Sequence, residues 1–391
     1  MPRPARSRAG ASFWRGLSLW LALFAAAALV MWLWWQGGQD LEDVVQDTPP
    51  AVAEAAPVPR PEPLPPAPLA ETERVIPPPP LAAETPALGA TVAPVLPPRE
   101  PTVPPMPASF SDVLALQIGL ARRGLSPGSI DGVMGGQTRL AVRAFQQVER
   151  LPSTGYPDAE TLRRLAPEPP LFATHVVTEE ELRRLMPVPA TWLGRSQAPR
   201  LDYETILELV AERAAASPTA VRRLNPGLVW EAVRPGTVVT VPDARLPAPR
   251  GRAAVIRISL GDKTLQAWDA SSNLLFHAPC SIARKVEKRP VGRLSVTRFA
   301  LGPEYLFNPE LYPDTPEART LGRKLTIPPG PNNPVGSAWI SLDRPGYGIH
   351  GTPHPEQVGR TESLGCFRLA NWNAEHLVKL VWPGLPVLVE P

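Results

Sequence analysis

The sequence predicts a multidomain chain. A transmembrane helix and a Pro-rich linker come first, then a small all-α domain, an α+β module and a mostly-β C-terminal domain. Three observations lead there. An apolar run from Gly16 to Trp35 carries no charge, and 54 prolines among 391 residues are too many for a uniformly folded protein. Beyond the prolines, the apolar periodicity changes from helical spacing to short β-branched runs.

At about 20 residues, the apolar run suffices to cross a bilayer, and we place the span at 16–36. The basic segment 1–15 holds Arg3, Arg6, Arg8 and Arg15, whereas Asp40, Glu42 and Asp43 follow the run. That asymmetry predicts a cytoplasmic amino terminus and an exported head, held at the inner membrane and facing the periplasm or cell-wall space. A cleaved signal peptide is the alternative. The run, however, ends in Met31-Trp32-Leu33-Trp34-Trp35-Gln36 rather than in the small residues a signal peptidase requires. Residues 37–108 are a linker of Pro, Ala, Val and Glu, stiffened by polyproline II. The net charge of +3 is scattered rather than gathered into basic runs, so a nucleic-acid partner is excluded.

Residues 109–167 read as three helices. Val113, Leu116, Ile118 and Leu120 mark the first, Leu140, Val142 and Phe145 the second, and Asp158 caps a third with Leu162 and Leu165. The wording of this stretch, including Leu116-Gln117, Ile130-Asp131-Gly132-Val133, Ala144-Phe145-Gln146 and Thr154-Gly155, resembles the peptidoglycan-binding domain. In residues 168–250, a helix from Tyr203 to Ala214 precedes Ser217 as an N-cap. A second helix to Leu224, the turn Asn225-Pro226-Gly227 and a strand at Val238 to Val241 follow. This order resembles a lysin-motif module, which binds glycan strands, although the usual opening strand is not evident. A generic helical spacer is the other reading.

From 251 to 391 the pattern is mostly strands: Val255–Leu260, Thr264–Trp268, Leu274–Ile282, Gly292–Phe299, Ala338–Leu342, Gly348–His350 and Val387–Val389. One helix starts from Asn371 as its cap. Two residues here suit nucleophilic chemistry. A free thiol has a pKa of about 8.5 and needs a base to activate it. Cys366 sits among small residues, and His350 lies upstream. Gly365 and Cys366 can direct backbone N–H groups at a carbonyl oxygen, and Arg368 offers a fixed charge for a carboxylate. A disulfide between Cys366 and Cys280 is the structural alternative. Five scattered His and two Cys make no metal-ligand spacing, so no metal or cofactor is expected.

His350-Gly351-Thr352, followed by Ser363-x-Gly365-Cys366-x-Arg368, resembles the signature of the L,D-transpeptidase catalytic domain. Ile327 to Leu342 and Pro290-Val291-Gly292 resemble further family segments. One position departs, since Leu364 stands where the family usually has His. The resemblance implies Cys366 as nucleophile and His350 as base, oriented by the Gly351 carbonyl. It further implies Gly365, Gly351 and Ser363 as oxyanion or supporting groups, and Arg368 and Thr352 as substrate-binding groups. The implied partners are peptidoglycan stem peptides and glycan strands. The implied reaction, through a cysteine acyl-enzyme, is 3-3 cross-linking of stem peptides or attachment of an acceptor amine, with L,D-carboxypeptidase or endopeptidase action, or a non-catalytic wall anchor, as alternatives.

Overall fold

The computed structural model describes residues 109–312, 315–361, 363 and 365–391. The expected span at 16–36, the linker at 37–108 and Leu364 lie outside the described residues. The first helix, α1 (Phe110–Ala121), starts where the Ser109 side chain accepts the Asp112 N–H at 3.1 Å. Then come α2 (Gly136–Val148) and α3 (Ala159–Leu165), the latter capped as expected by Asp158, which accepts the Thr161 N–H at 2.7 Å. Two buried glutamines organise the connecting loops. Gln117 Oε1 accepts the N–H groups of Asp131 and Gly132 (3.1 and 2.9 Å), while its Nε2 donates to Asp131 (2.9 Å) and Thr138 (3.1 Å). Gln146 holds Gly155 and Tyr156 in the same way. Loop backbone that would otherwise be stranded away from water is thereby paired.

The next module contains β1 (Phe172–Val176), α4 (Glu179–Arg184), α5 (Trp192–Gln197), α6 (Ile206–Arg213), α7 (Pro218–Leu224) and β2 (Val238–Pro242). β1 and β2 pair antiparallel, with His175 opposite Val239. The strand at Phe172–Val176 was not foreseen in the sequence reading. It escaped notice because its half-buried positions are Ala173 and His175 while the larger apolar Phe172 and Val176 are exposed, so the sequence shows no apolar inward face. α6 begins with a capping box between Thr205 and Glu208, and Ser217 caps α7 by accepting the Ala220 N–H at 3.1 Å. Asn225 then ties the end of α7 to β2 through its bonds with Val221 and Thr240.

These two regions are not beads on a string. Leu114 and Ile118 of α1 pack into one core with Ile206, Leu209, Val210 and Trp230, while Leu116 and Leu120 of the same helix join Val142 and Phe145 in another. A helix apolar on both sides is a shared wall.

The C-terminal domain is built on β3 (Val255–Ser259), β4 (Thr264–Trp268), β5 (Leu274–Pro279), β6 (Gly292–Leu301), β7 (Tyr305–Phe307), α8 (Pro316–Leu321), β8 (Leu325–Ile327), β9 (Ala338–Leu342), β10 (Gly348–His350), β11 (Phe367–Arg368), α9 (Asn371–Val378) and β12 (Pro386–Glu390). Eight strands form one sheet in the order β11-β10-β9-β6-β12-β3-β4-β5, while β7 and β8 pair separately. The chain leaving β5 carries the sheet round to its other edge. Ser281 exchanges hydrogen bonds with Arg368 (2.9 and 3.0 Å), and Ser363 bonds Ile282 and Arg284 beside them (2.8 and 2.9 Å). Ile256, Leu265, Phe276, Ile340, Phe367 and Val387 fill the enclosed core, against which α9 packs Ala374 and Leu377. Mostly β is the observed class, as expected. α8 and the β7–β8 pair were not foreseen, each being too short to establish a period.

The helical domain docks on β5. The Ser126 N–H donates to the His277 carbonyl (2.8 Å) and the His277 N–H to the Gly124 carbonyl (3.0 Å). A Cβ at Gly124, whose φ is +79°, would stand 2.9 Å from the Leu275 carbonyl oxygen, so the approach requires glycine. Nearby, the buried Asn373 amide of α9 donates to Ser126 Oγ at 3.0 Å. Ser126→Ala strands that donor, and we expect a loss of about 1–3 kcal/mol in unfolding free energy. Urea denaturation checks this; an unchanged midpoint would mean that the junction contributes no stability.

Candidate active site

β10 and β11 run parallel, with Ile349 opposite Phe367 and His350 opposite Arg368. Ile349 and Phe367 are both fully buried in the core. Side chains alternate along a strand, and in-register neighbours share a face, so His350, Arg368 and Cys366 project from the opposite side. Cys366 immediately precedes β11, and its Sγ lies 3.5 Å from the Gly346 carbonyl oxygen, with the Gly348 N–H also directed at it. Both cysteines are free thiols, which rules out the disulfide alternative; Cys280 is buried in the core.

The His350 ring is buried and stacked on Trp339, with centroids 5.3 Å apart and planes 19° from parallel. Its Nδ1 lies 2.6 Å from the Gly351 carbonyl oxygen. A carbonyl can only accept, so Nδ1 carries the proton and Nε2 of the neutral ring has the lone pair. Burial lowers the pKa of this imidazole to about 4, despite the opposing pull of the Gly351 carbonyl. Burial likewise pushes the Cys366 thiol up, against the Gly348 N–H. The resting pair is therefore uncharged at neutral pH.

The remaining expected site residues play varied parts. Ser363 braces the turn, accepting the Gly365 N–H at 3.2 Å and donating to the Cys366 carbonyl. The Gly365 N–H is thus committed to Ser363, which corrects the expectation that it points at a carbonyl oxygen. Thr352 also departs from its expected substrate-binding part. Its side chain is buried, its hydroxyl accepts the His354 N–H at 3.3 Å, and its own N–H donates to Asn371 Oδ1 at 3.0 Å. Arg368 is partly buried and donates to Thr361 Oγ1 at 3.0 Å. Gly351 is needed for close approach, because a Cβ there would lie 2.2 Å from Asn371 Oδ1.

The sequence reading missed several neighbours. Asn371 is not a helix cap. It is the first residue of α9, after Ala370, and its side chain turns away to bond Ser337 and Thr352. A cavity of about 730 Å³ lies alongside, lined by Tyr305, Trp339, Gly346, Tyr347, Arg298 and Glu304 among others. Scattered aromatics drawn from β6, β7, β9 and the turn before β10 carry no local signal of convergence. Of the other histidines, His277 is buried between Gln266 and the docked helical domain, and His376 packs on Phe276 with centroids 5.0 Å apart. Among the described residues no cluster of His, Cys, Asp and Glu could hold a metal ion.

A closed, mostly-β domain thus presents a free thiol and a buried imidazole of fixed tautomer on one face. Comparison with known proteins defines it further. Residues 253–389 match the family model of the L,D-transpeptidase catalytic domain and residues 110–165 that of the peptidoglycan binding domain. The chain is 25% identical over 185 residues to the Bacillus licheniformis protein named as L,D-transpeptidase YkuD, covering 47% of this chain and 93% of that one. To the Bacillus subtilis protein named as L,D-transpeptidase YqjB it is 37% identical over 106 residues, or 26% of this chain and 51% of the other. A solved L,D-transpeptidase from Xylanimonas cellulosilytica overlaps 75% of this chain and 99% of its own, at 16% identity and a TM-score of 0.31.

His277, His350 and His376 each have a pKa lowered to about 4, in every case chiefly by burial. An unfolded histidine titrates at about 6.5, so between that pH and 4 these three sites bind more protons in the unfolded chain than in the folded one, outnumbering the opposite contribution of Glu212, whose pKa is raised. Stability therefore falls as pH drops through this window. We expect the urea midpoint to decline from pH 6.5 to 4, and His277→Gln to flatten the decline. A midpoint constant across the window would show that these rings are not held neutral.

Proposed function

We propose that the chain is a peptidoglycan L,D-transpeptidase in which Cys366 is the nucleophile and His350 the general base. The observation that carries this reading is the Nδ1 bond to the Gly351 carbonyl, which reserves Nε2 for the thiol proton. Because burial disfavours both charged forms, proton transfer accompanies attack rather than preceding it. The thiolate attacks the carbonyl of the third, L-centred residue of a tetrapeptide stem; the Sγ–C bond forms, and the terminal D-Ala leaves as its amine takes the proton back from His350. An amine of a second stem then attacks the thioester and yields a 3-3 cross-link, regenerating the thiol. Water in its place gives L,D-carboxypeptidase action.

The Cys366 N–H is the donor proposed for the developing oxyanion, with Ser363 and Gly365 fixing the turn that aims it. Arg368 is proposed to hold a stem carboxylate, and the aromatic-lined cavity beside Gly346 to receive the stem. The helix pair α6–α7 leading into β2, which pairs with β1, supports a lysin-motif-like, glycan-binding part for the second module. The apolar run at 16–36, with its basic flank, supports an anchor that keeps the head outside the cytoplasmic membrane.

A carbapenem is an acyl donor suited to a test by intact mass. Cys366→Ala eliminates the adduct, and His350→Ala slows acylation by about 10²- to 10⁴-fold. With His350 held near 4, the acid limb of the acylation rate falls close to pH 4 rather than 6.5. Adduct formation by the Cys366→Ala protein, or an undiminished rate without His350, would exclude this assignment.

A further inference from the structure

The second module reaches into the catalytic site through one buried side chain. Glu212 lies in the last turn of α6, and its Oε1 accepts hydrogen bonds from Asn371 Nδ2 at 3.0 Å and from the Tyr203 hydroxyl at 3.2 Å. Asn371 Nδ2 also donates to the Pro331 carbonyl at 3.2 Å. With its nitrogen held on that side, Asn371 presents Oδ1 to the N–H groups of Ser337 (3.1 Å) and Thr352 (3.0 Å). Between those two anchor points lies Gly351, whose carbonyl selects the His350 tautomer.

We propose that Glu212 is a positioning residue for the base: by orienting the Asn371 amide it fixes the Gly351–Thr352 turn, and so couples docking of the glycan-side module to the geometry of His350. The two ends of a carboxamide are nearly alike in shape, and only hydrogen-bond partners decide which faces where. Without the Glu212 acceptor, half of what holds the nitrogen outward is gone. A reversed amide would set Nδ2 against the Thr352 and Ser337 N–H groups, donor against donor, and the turn would have to move. The approach is too tight to absorb this, since Asn371 Oδ1 already leaves no room for a Cβ at either Gly336 or Gly351.

Burial raises the Glu212 pKa to about 8, with Glu375 and Glu208 adding to the effect. At neutral pH the group is therefore a protonated carboxyl, for which glutamine is the close isostere that keeps the carbonyl oxygen. The sequence has no motif at this position that would reveal the link. Glu212 sits 159 residues from Asn371.

The inference rests on His350 being the base, and its test reads the imidazole directly. The full chain, labelled with ¹⁵N at histidine, reports the His350 tautomer by NMR, the signal being assigned by its loss in His350→Ala. Carbapenem acylation followed by intact mass separates the half-saturating concentration from the first-order rate constant. Glu212→Leu and Asn371→Ala should each erode the Nδ1–H tautomer and lower the first-order constant roughly ten- to a hundred-fold, leaving half-saturation unchanged. Glu212→Gln should stay close to the wild type in both. Either of the first two variants, folded and yet with the wild-type tautomer and rate constant, would overturn the proposal, as would a Glu212→Gln protein as impaired as Glu212→Leu. Asn371→Ala breaks the same link from the catalytic side should Glu212→Leu fail to fold. Because the nitrogen signals do not depend on turnover, a wild-type protein that formed no adduct would count against the transpeptidase reading alone.

Discussion

The two hydrogen bonds exchanged by Ser281 and Arg368 are the constraint on which the catalytic domain turns. Without them the eight-stranded sheet would not close on its β11 side, and β11, only two residues long, would be held by β10 alone. A strand that short has little intrinsic stability. Pairing it on both sides, and burying Phe367 beneath it, fixes the chain direction at Cys366 and places the thiol on the same face as the imidazole. Closure of the sheet and assembly of the site are thus one event. Ser363 belongs to both, bonding Ile282 and Arg284 with its backbone and the Cys366 turn with its hydroxyl.

Around that seam the molecule spends buried polar groups freely, and nearly always in pairs. Gln117 and Gln146 close loops of the helical domain, Asn225 fastens a helix to a strand, and Asn371 gathers four partners from different parts of the chain. Each replaces water with fixed donors and acceptors, at the cost of tolerating few substitutions. The site inherits this stiffness. His350 is caught between the Trp339 ring and the Gly351 carbonyl and has little freedom to turn.

Much of this was legible in the sequence where physics is local. Ser217 and Asp158 announced helix starts because an N-cap is settled within three residues, and Thr264–Trp268 and Ala338–Leu342 emerged with the bounds expected of them. His350 and Cys366 were legible because their surroundings are small residues in a recognisable order. What stayed hidden depends on distance along the chain. Asn371 resembles a cap from its position, but its partners lie 19 to 159 residues away. Phe172–Val176 is a strand only because Val238–Pro242 is there to pair with it. The use of α1 as a wall between two cores could not be read from its own apolar residues, which report that it is buried but not against what.

That shared helix has a metrical consequence. A binding domain on a flexible tether would let the enzyme wander along a wall polymer, acting wherever its mouth happened to meet a stem. Here the peptidoglycan-binding domain, the second module and the catalytic sheet interlock through α1, the Ser126–His277 seam and Asn371. The helical domain and the segment that carries Cys366 thus belong to one packed body. Under the proposed function such a head would act as a gauge, its own dimensions rather than chance encounter determining the spacing of the bonds it makes.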